Sequence, residues 1–293
     1  MKKIGIVAEE ALDLPQETIE KYKIGLVSVK LDWPDLENMS GTNIFEKMRE
    51  LEKREIKSFG KTSQPSPKDF LNAYKKQFEN FEKVLCITIT SKLSGSYNSA
   101  IQAVKFLPSE QQKKVVVVDS LNASIGQGIL VLKAVELIEK GLQLEVIVKK
   151  LEQLIPQIYT FIMFKDPKYI EASGRISGIG AKLIRNAAKF GIRPVLTFKN
   201  GLLVPAGIKT GAKDIPTGIF KAFERDVKKN KLKDELIVLI SHGDDLKGAN
   251  RLKEMIEQNF NAKIFSITII DNILGSLCGP ETMILAWSEK ILL

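Results

Sequence analysis

Short apolar runs rich in valine and isoleucine alternate with amphipathic stretches along the first half of the chain. Residues 3–7, 25–30, 83–88 and 115–119 have the length and β-branched content of buried strands. Between them, residues 15–23, 43–53, 67–79 and 96–106 place apolar side chains at helical spacing. Ser66, Pro67 and Asp69 form a helix-start signature: the serine accepts from the amide three residues on, the aspartate reaches back, and proline suits the first helical position. Strands alternating with helices in this way predict a largely parallel sheet.

Two consecutive helical patterns, 124–140 and 144–154, interrupt the alternation, and a further buried run follows at 159–164. The expected division is a first α/β domain over residues 1–158 and a second over 159–293. In the second, residues 192–198 and 202–205 flank Lys199-Asn200-Gly201 and read as a β-hairpin, because Asn-Gly adopts the positive φ values of a tight hairpin turn. Strands at 236–241 and 263–270 flank a helix at 247–259, and a last helix is expected at 282–292. The fold class is α/β with two α/β domains, the first with a largely parallel sheet.

Composition narrows the function. Apolar residues make up 44% and charged residues 27%, a globular mixture. Even the apolar stretch 129–138 is broken by Lys133 and Glu136, far short of the roughly 18 uninterrupted residues of a membrane span. The apolar run before Glu9 and Glu10 is too short for a secretory signal, so a cytoplasmic location is expected. Cys86, Cys278 and the lone His242 lack the spacing of a zinc site, and Cys86 reads as a small buried hydrophobe. The net charge of +9 is spread along helices without interleaved aromatics, which argues against nucleic acid and leaves open a transient attraction to an anionic membrane surface.

No nucleotide cradle is present: there is no G-x-x-x-x-G-K-[ST], and neither Gly126-Gln127-Gly128 nor Gly178-Ile179-Gly180 completes G-x-G-x-x-G. A serine hydrolase would have only His242 as base, and Leu93-Ser94-Gly95-Ser96-Tyr97 is not a G-x-S-x-G elbow. His242 follows a predicted strand and precedes Gly243-Asp244-Asp245, which suits a hydrogen-bonded structural histidine or a functional one. Two hydroxyl-rich turns remain, Lys61-Thr62-Ser63-Gln64-Pro65-Ser66 and residues 90–99. Hydroxyls beside the free amides of a helix start can hold a carboxylate; equally, Ser and Thr there can simply cap the helices.

At these same turns the sequence resembles the DegV family of bacterial fatty-acid-binding proteins. Thr62-Ser63-Gln64-Pro65-Ser66 matches the family's T-S-Q-P-S, and residues 91–100 follow its S-S-K-L-S-G-T-Y-Q-S-A. Asp119-Ser120-Leu121-Asn122-Ala123-Ser124-Ile125-Gly126, Gly174-Arg175-Ile176-Ser177 and Pro194-Val195-Leu196-Thr197-Phe198 resemble further family segments. The resemblance spans nearly the whole chain. It implies a non-catalytic protein holding one long-chain fatty acid in a tunnel between the domains and presenting it to a separate fatty-acid kinase, with no cofactor besides the lipid. It also implies head-group contacts from Thr62, Ser63 and Ser94, with the Gly95 and Ser96 amides assisting. Arg175 would lie by the head group or on the kinase-facing surface; a structural pairing with a nearby carboxylate is the alternative.

Three departures qualify the resemblance. The family's opening T-D-S-T-x-D-L-P appears as Ala8-Glu9-Glu10-Ala11-Leu12-Asp13-Leu14-Pro15. Its G-T-H-T-G-P-G loop appears as Gly275-Ser276-Leu277-Cys278-Gly279-Pro280-Glu281, with Leu277 in the place of the head-group histidine and Cys278 next to it. Lys209-Thr210-Gly211 stands where the family carries an arginine-rich turn. A lipid-binding protein without kinase coupling, serving storage or sensing, is therefore the second expectation, and a hydrolase using Ser94 the third.

Overall fold

Val7, Val84 and Cys86 project from neighbouring strands onto Phe70, Tyr74, Ala100 and Ala103, forming the buried core on one side of a four-stranded sheet. The computed structural model describes residues 2–176, 184, 186, 187, 193–206, 211, 212, 214–230, 232 and 234–289; residues 177–180, 192, 209 and 210, singled out above, lie outside them. The sheet order is Gly25–Val27, Lys2–Glu9, Phe81–Thr88, Val115–Asp119, and every pairing is parallel. Helices Pro67–Phe78 and Ser96–Lys105 supply the aromatic and alanine partners of that core. Helix Ile125–Glu139 packs against the two central strands and is apolar nearly all round, as expected of a helix covered on most sides. The Ser66–Asp69 capping box is formed, with both of its hydrogen bonds present.

The chain divides into two compact units. The first comprises Met1–Lys30, Ser63–Ile158 and Asn200–Leu202, the second Leu31–Thr62, Tyr159–Lys199 and Leu203–Leu293. The contents differ from two sequence blocks, because residues 31–62 belong to the second unit. Their helix Ile44–Lys53 buries Ile44, Phe45, Met48 and Leu51. Part of that face meets helix Asn272–Cys278, where a Cβ added to Gly275 would lie 2.8 Å from the Phe45 ring. Apolar complementarity, not sequence proximity, assigns the segment.

The second unit holds a six-stranded sheet in the order Leu202–Pro205, Leu196–Lys199, Tyr159–Met163, Met283–Glu289, Leu236–His242, Ala262–Ile269. Its pairings are antiparallel except between the last two strands, which run parallel. Asn200 and Gly201 have φ of 50° and 79°, the left-handed values that make this hairpin turn favour Asn-Gly. Residues 283–289 form a strand, not the expected last helix. Met283-Ile284-Leu285-Ala286-Trp287 is apolar throughout, so its pattern has no period; the strand lies between two partners and is buried from Met283 to Ser288. Trp287 is fully buried and packs on Tyr159, Phe161 and Phe223 at ring separations of 5.3, 4.8 and 5.0 Å.

Candidate functional site

In the first unit, the strand after Lys2–Glu9 lies on one side of it and Phe81–Thr88 on the other, so the carboxyl ends of these two strands frame a switch point of the kind where α/β sheets bind ligands. The chain leaving Phe81–Thr88 turns tightly there: the Leu93 and Ser94 amides donate to the Thr90 carbonyl at 3.1 and 3.3 Å. Thr90 Oγ1 donates to the Gly201 carbonyl at 3.0 Å, and the Asp119 carboxylate accepts from the Ser91 and Leu121 amides. The turn therefore delivers Ser94, Gly95 and Ser96 rigidly to the start of helix Ser96–Lys105.

Ser94 Oγ accepts from the Ser96 amide at 3.2 Å and lies 2.9 Å from Ser96 Oγ. The serine is thus a local cap and also a half-buried hydroxyl at the switch point. Gly95 is hemmed in by Gln64, whose Oε1 would lie 1.9 Å from an added Cβ; that amide also donates to Ser99 Oγ at 3.2 Å. Ser63 is exposed. Behind the two serines lies Glu9, only 1% exposed, which sequence reasoning passed over. Its carboxylate accepts from the Ile89 amide at 3.2 Å and from Gln127 Nε2 at 3.0 Å. Burial raises the Glu9 carboxyl above its ordinary value, against the opposing pull of these donors.

The second unit carries the other predicted residues. The boundary falls between Thr62 and Ser63, so Thr62, Arg175, Leu277 and Cys278 belong here and Ser63, Ser94, Gly95 and Ser96 to the first unit. Arg175 Nη2 donates to Thr62 Oγ1 at 2.7 Å, and Cys278 is close enough to act electrostatically on the guanidinium. Burial pulls the Arg175 titration down, although such a guanidinium stays charged. Because Thr62 Oγ1 accepts from Arg175, its own hydrogen remains to be donated, and the described residues show no acceptor for it. Leu277 and Cys278 are both buried at the end of helix Asn272–Cys278, a helix started by Asp271, whose carboxylate accepts from the Ile273 and Leu274 amides.

The other candidates take structural places. His242 Nδ1 accepts from the Asp245 amide at 3.1 Å, and burial lowers its titration against the opposing pull of Asp245 and Asp244. Cys86 is fully buried and its thiol titration is pushed upward. A charged cleft of about 740 Å³ in the second unit has three of its cations paired with acids, Arg49 with Asp244, Lys168 with Glu52 and Lys165 with Glu281. Among the described residues no group of acidic, His or Cys side chains could hold a metal, and no helix is long and apolar enough to cross a membrane.

Comparison with known proteins adds to this geometry. Residues 3–290 match the family described as "Uncharacterised protein, DegV family". A DegV domain-containing protein of Clostridium acetobutylicum is 32% identical over 265 residues, covering 88% of this chain and 90% of the relative. A protein of Thermotoga maritima named as a fatty acid-binding protein is 29% identical over 286 residues, 96% of both chains. The solved structure describing fatty acid binding of a DegV family protein from Thermus thermophilus superposes with a TM-score of 0.83 at 26% identity, covering 98% of this chain and 99% of that one.

Proposed function

Because the chain belongs to the DegV family, we propose that it binds one long-chain fatty acid by its carboxylate and is not itself a catalyst. Thr62, Ser63, Ser94, the Gly95 and Ser96 amides, Arg175, Leu277 and Cys278 are the proposed head-group residues. The observation that carries this reading is Thr62, whose hydroxyl is polarised by Arg175 and keeps a proton to donate. A charge-assisted donor of this kind suits an ionised carboxylate. The fatty acid-binding names of the Thermotoga relative and the Thermus structure support the same ligand class. Hydrolysis is disfavoured, since the only histidine is engaged by the Asp245 amide.

Presentation of the acyl chain to a separate fatty-acid kinase is the fuller form of this proposal. The second reading, lipid binding without kinase coupling, is favoured by one observation: Leu277, which offers neither hydrogen bond nor charge, stands where the resembling loop carries histidine. Burying about 15 methylenes at roughly 0.8 kcal/mol each gives on the order of 12 kcal/mol before association costs, against about 1.5–3 kcal/mol for one hydrogen bond to a charged group. Lipid binding therefore tolerates the leucine better than phosphoryl transfer, which depends on positioning and electrostatics. Denaturing extraction followed by mass spectrometry is expected to recover about one fatty acid per chain. Recovery of no acyl species, together with no uptake of a fluorescent fatty acid after delipidation, would overturn the proposal.

A further inference from the structure

We propose that Thr90 is a positioning residue for the bound carboxylate: through its hold on the Gly201 carbonyl it fixes where the Ser94 hydroxyl and the amides after it stand. The inference rests on the reading of Ser94 as a head-group contact and goes beyond it by assigning what sets that contact in place. Thr90 is fully buried, and each of its polar groups is engaged. Its amide donates to the Asn122 carbonyl at 2.8 Å, and its carbonyl accepts from the Leu93 and Ser94 amides. Its hydroxyl accepts from the Lys92 amide at 3.3 Å and donates to the Gly201 carbonyl at 3.0 Å. An amide can only donate and a carbonyl only accept, so the single hydrogen of this hydroxyl has one direction to take.

Gly201 meets two requirements, and the hairpin turn explains one of them. Its φ of 79° is the left-handed value that the turn demands. The turn does not demand a close approach at the side-chain position, yet a Cβ there would lie 2.4 Å from Thr90 Oγ1, 3.0 Å from Lys92 Cγ and 3.2 Å from Leu121 Cδ2. Asn200 and Leu202 on either side are exposed while Gly201 is buried. Asn200–Leu202 belongs to the same unit as Thr90 and Ser94. The tip is thus a backbone seat for the 90–94 turn, with no room for a side chain between them.

The seat matters to Ser94 because the Thr90 carbonyl is the group that the Ser94 amide reaches, at 3.3 Å. Ser94 Oγ in turn accepts from the Ser96 amide at 3.2 Å, so a displacement of Thr90 passes to the hydroxyl and to the start of helix Ser96–Lys105. Two other anchors, the Asn122 carbonyl on the Thr90 amide and the Asp119 carboxylate on the Ser91 amide, hold only the first residues of the turn. Without the Thr90 hydroxyl, the buried Gly201 carbonyl and the Lys92 amide lose that partner, which favours a separation that lets water reach them. An ionised head group registers such a movement more than a neutral one, because hydrogen bonds to a charged acceptor are shorter and stronger and weaken steeply with misalignment.

The test compares a fatty acid with its neutral methyl ester, since a residue that only supports the fold affects both alike. Delipidated native protein, Thr90→Val, Thr90→Ser, Ser94→Ala and the double variant Thr90→Val with Ser94→Ala would be titrated with cis-parinaric acid and with its methyl ester, and each melted to confirm folding. Valine has the shape of threonine without the hydroxyl; serine keeps the hydroxyl. Thr90→Val is expected to narrow the preference for acid over ester by about five- to tenfold, the difference between hydrogen bonds to charged and to neutral groups. Thr90→Ser is expected to retain the preference, and Thr90→Val to narrow it no further in a chain already carrying Ser94→Ala. If Ser94→Ala narrows the preference while Thr90→Val weakens acid and ester equally, or weakens neither, the Thr90 role is overturned and the head-group reading stands. If the native protein does not prefer the acid, or Ser94→Ala leaves the preference unchanged, the head-group reading of Ser94 fails and the Thr90 role falls with it. Should Thr90→Val not fold, Gly201→Ala decides from the other side of the contact, because its methyl group meets Thr90 Oγ1: a narrowed preference supports the role and a native one overturns it.

Discussion

Arg175 and Thr62 meet at 2.7 Å, the guanidinium donating to the threonine hydroxyl. The arginine lies just after a turn at Gly174 (φ 69°), and the threonine on the short strand Lys61–Ser63. A hydroxyl that accepts from a cation becomes a better donor, which is what an anionic head group needs.

Replacing Thr62 and Ser94 together by alanine removes two donors facing an ionised acceptor. Fatty-acid affinity is expected to weaken by about 3–6 kcal/mol, from about 1.5–3 kcal/mol per charge-assisted bond. Fluorescent fatty-acid titration, with a thermal melt to confirm folding, measures it. Unchanged affinity in a folded double variant would show that these hydroxyls serve the local structure only.

Leu277→His restores a donor, and when protonated a charge, at the buried end of helix Asn272–Cys278. Acyl-phosphate formation with a fatty-acid kinase is expected to rise more than lipid affinity does. Both quantities measured on native and variant protein decide it; fast native turnover with no gain from histidine would mean that Arg175 or Cys278 already serves.

The raised Glu9 titration carries a stability consequence with a definite sign. Above the ordinary value of 4.5 the unfolded chain gives up this proton while the native state keeps it, so native stability falls as pH rises from there toward the folded-state value. Glu9→Gln is expected to remove that slope and to melt at a higher temperature than the native protein at neutral pH. Chemical denaturation at several pH values measures the difference; parallel slopes would place Glu9 in a better-solvated site than its burial indicates.

Trp287→Ala deletes the centre of the aromatic cluster formed with Tyr159, Phe161 and Phe223. A loss of about 3–5 kcal/mol is expected, the range for emptying a large aromatic site in a packed core. Urea denaturation followed by circular dichroism would record it, and a loss below about 1 kcal/mol would mean that the core collapses to fill the space.

What could be read from the sequence was local. The Ser66–Asp69 box and the Asn200–Gly201 turn each depend on a few adjacent residues, and both form as read. The two serines of the 90–99 turn were likewise visible as a motif. What could not be read was set by distant partners. Residues 31–62 follow the burial of Phe45 against the helix of Gly275, and Met283–Glu289 becomes a strand because it lies between two others. The Arg175 contact to Thr62 joins residues 113 positions apart. Glu9 gave one signal, an acid directly after the apolar run 4–8, and only the fold shows that its side chain is buried instead of solvated.

The protein has two tryptophans, Trp33 and Trp287, and both belong to the second unit. The first unit has only Tyr22, Tyr74 and Tyr97 as ultraviolet emitters besides phenylalanine. Light at the red edge of protein absorption, which excites indole alone, therefore watches half of the molecule. Backbone ellipticity watches all of it. If the optical transition coincides with the ellipticity transition, the halves melt as one cooperative body; if it lags or leads, they melt separately, and the unlabelled chain itself reports which half goes first.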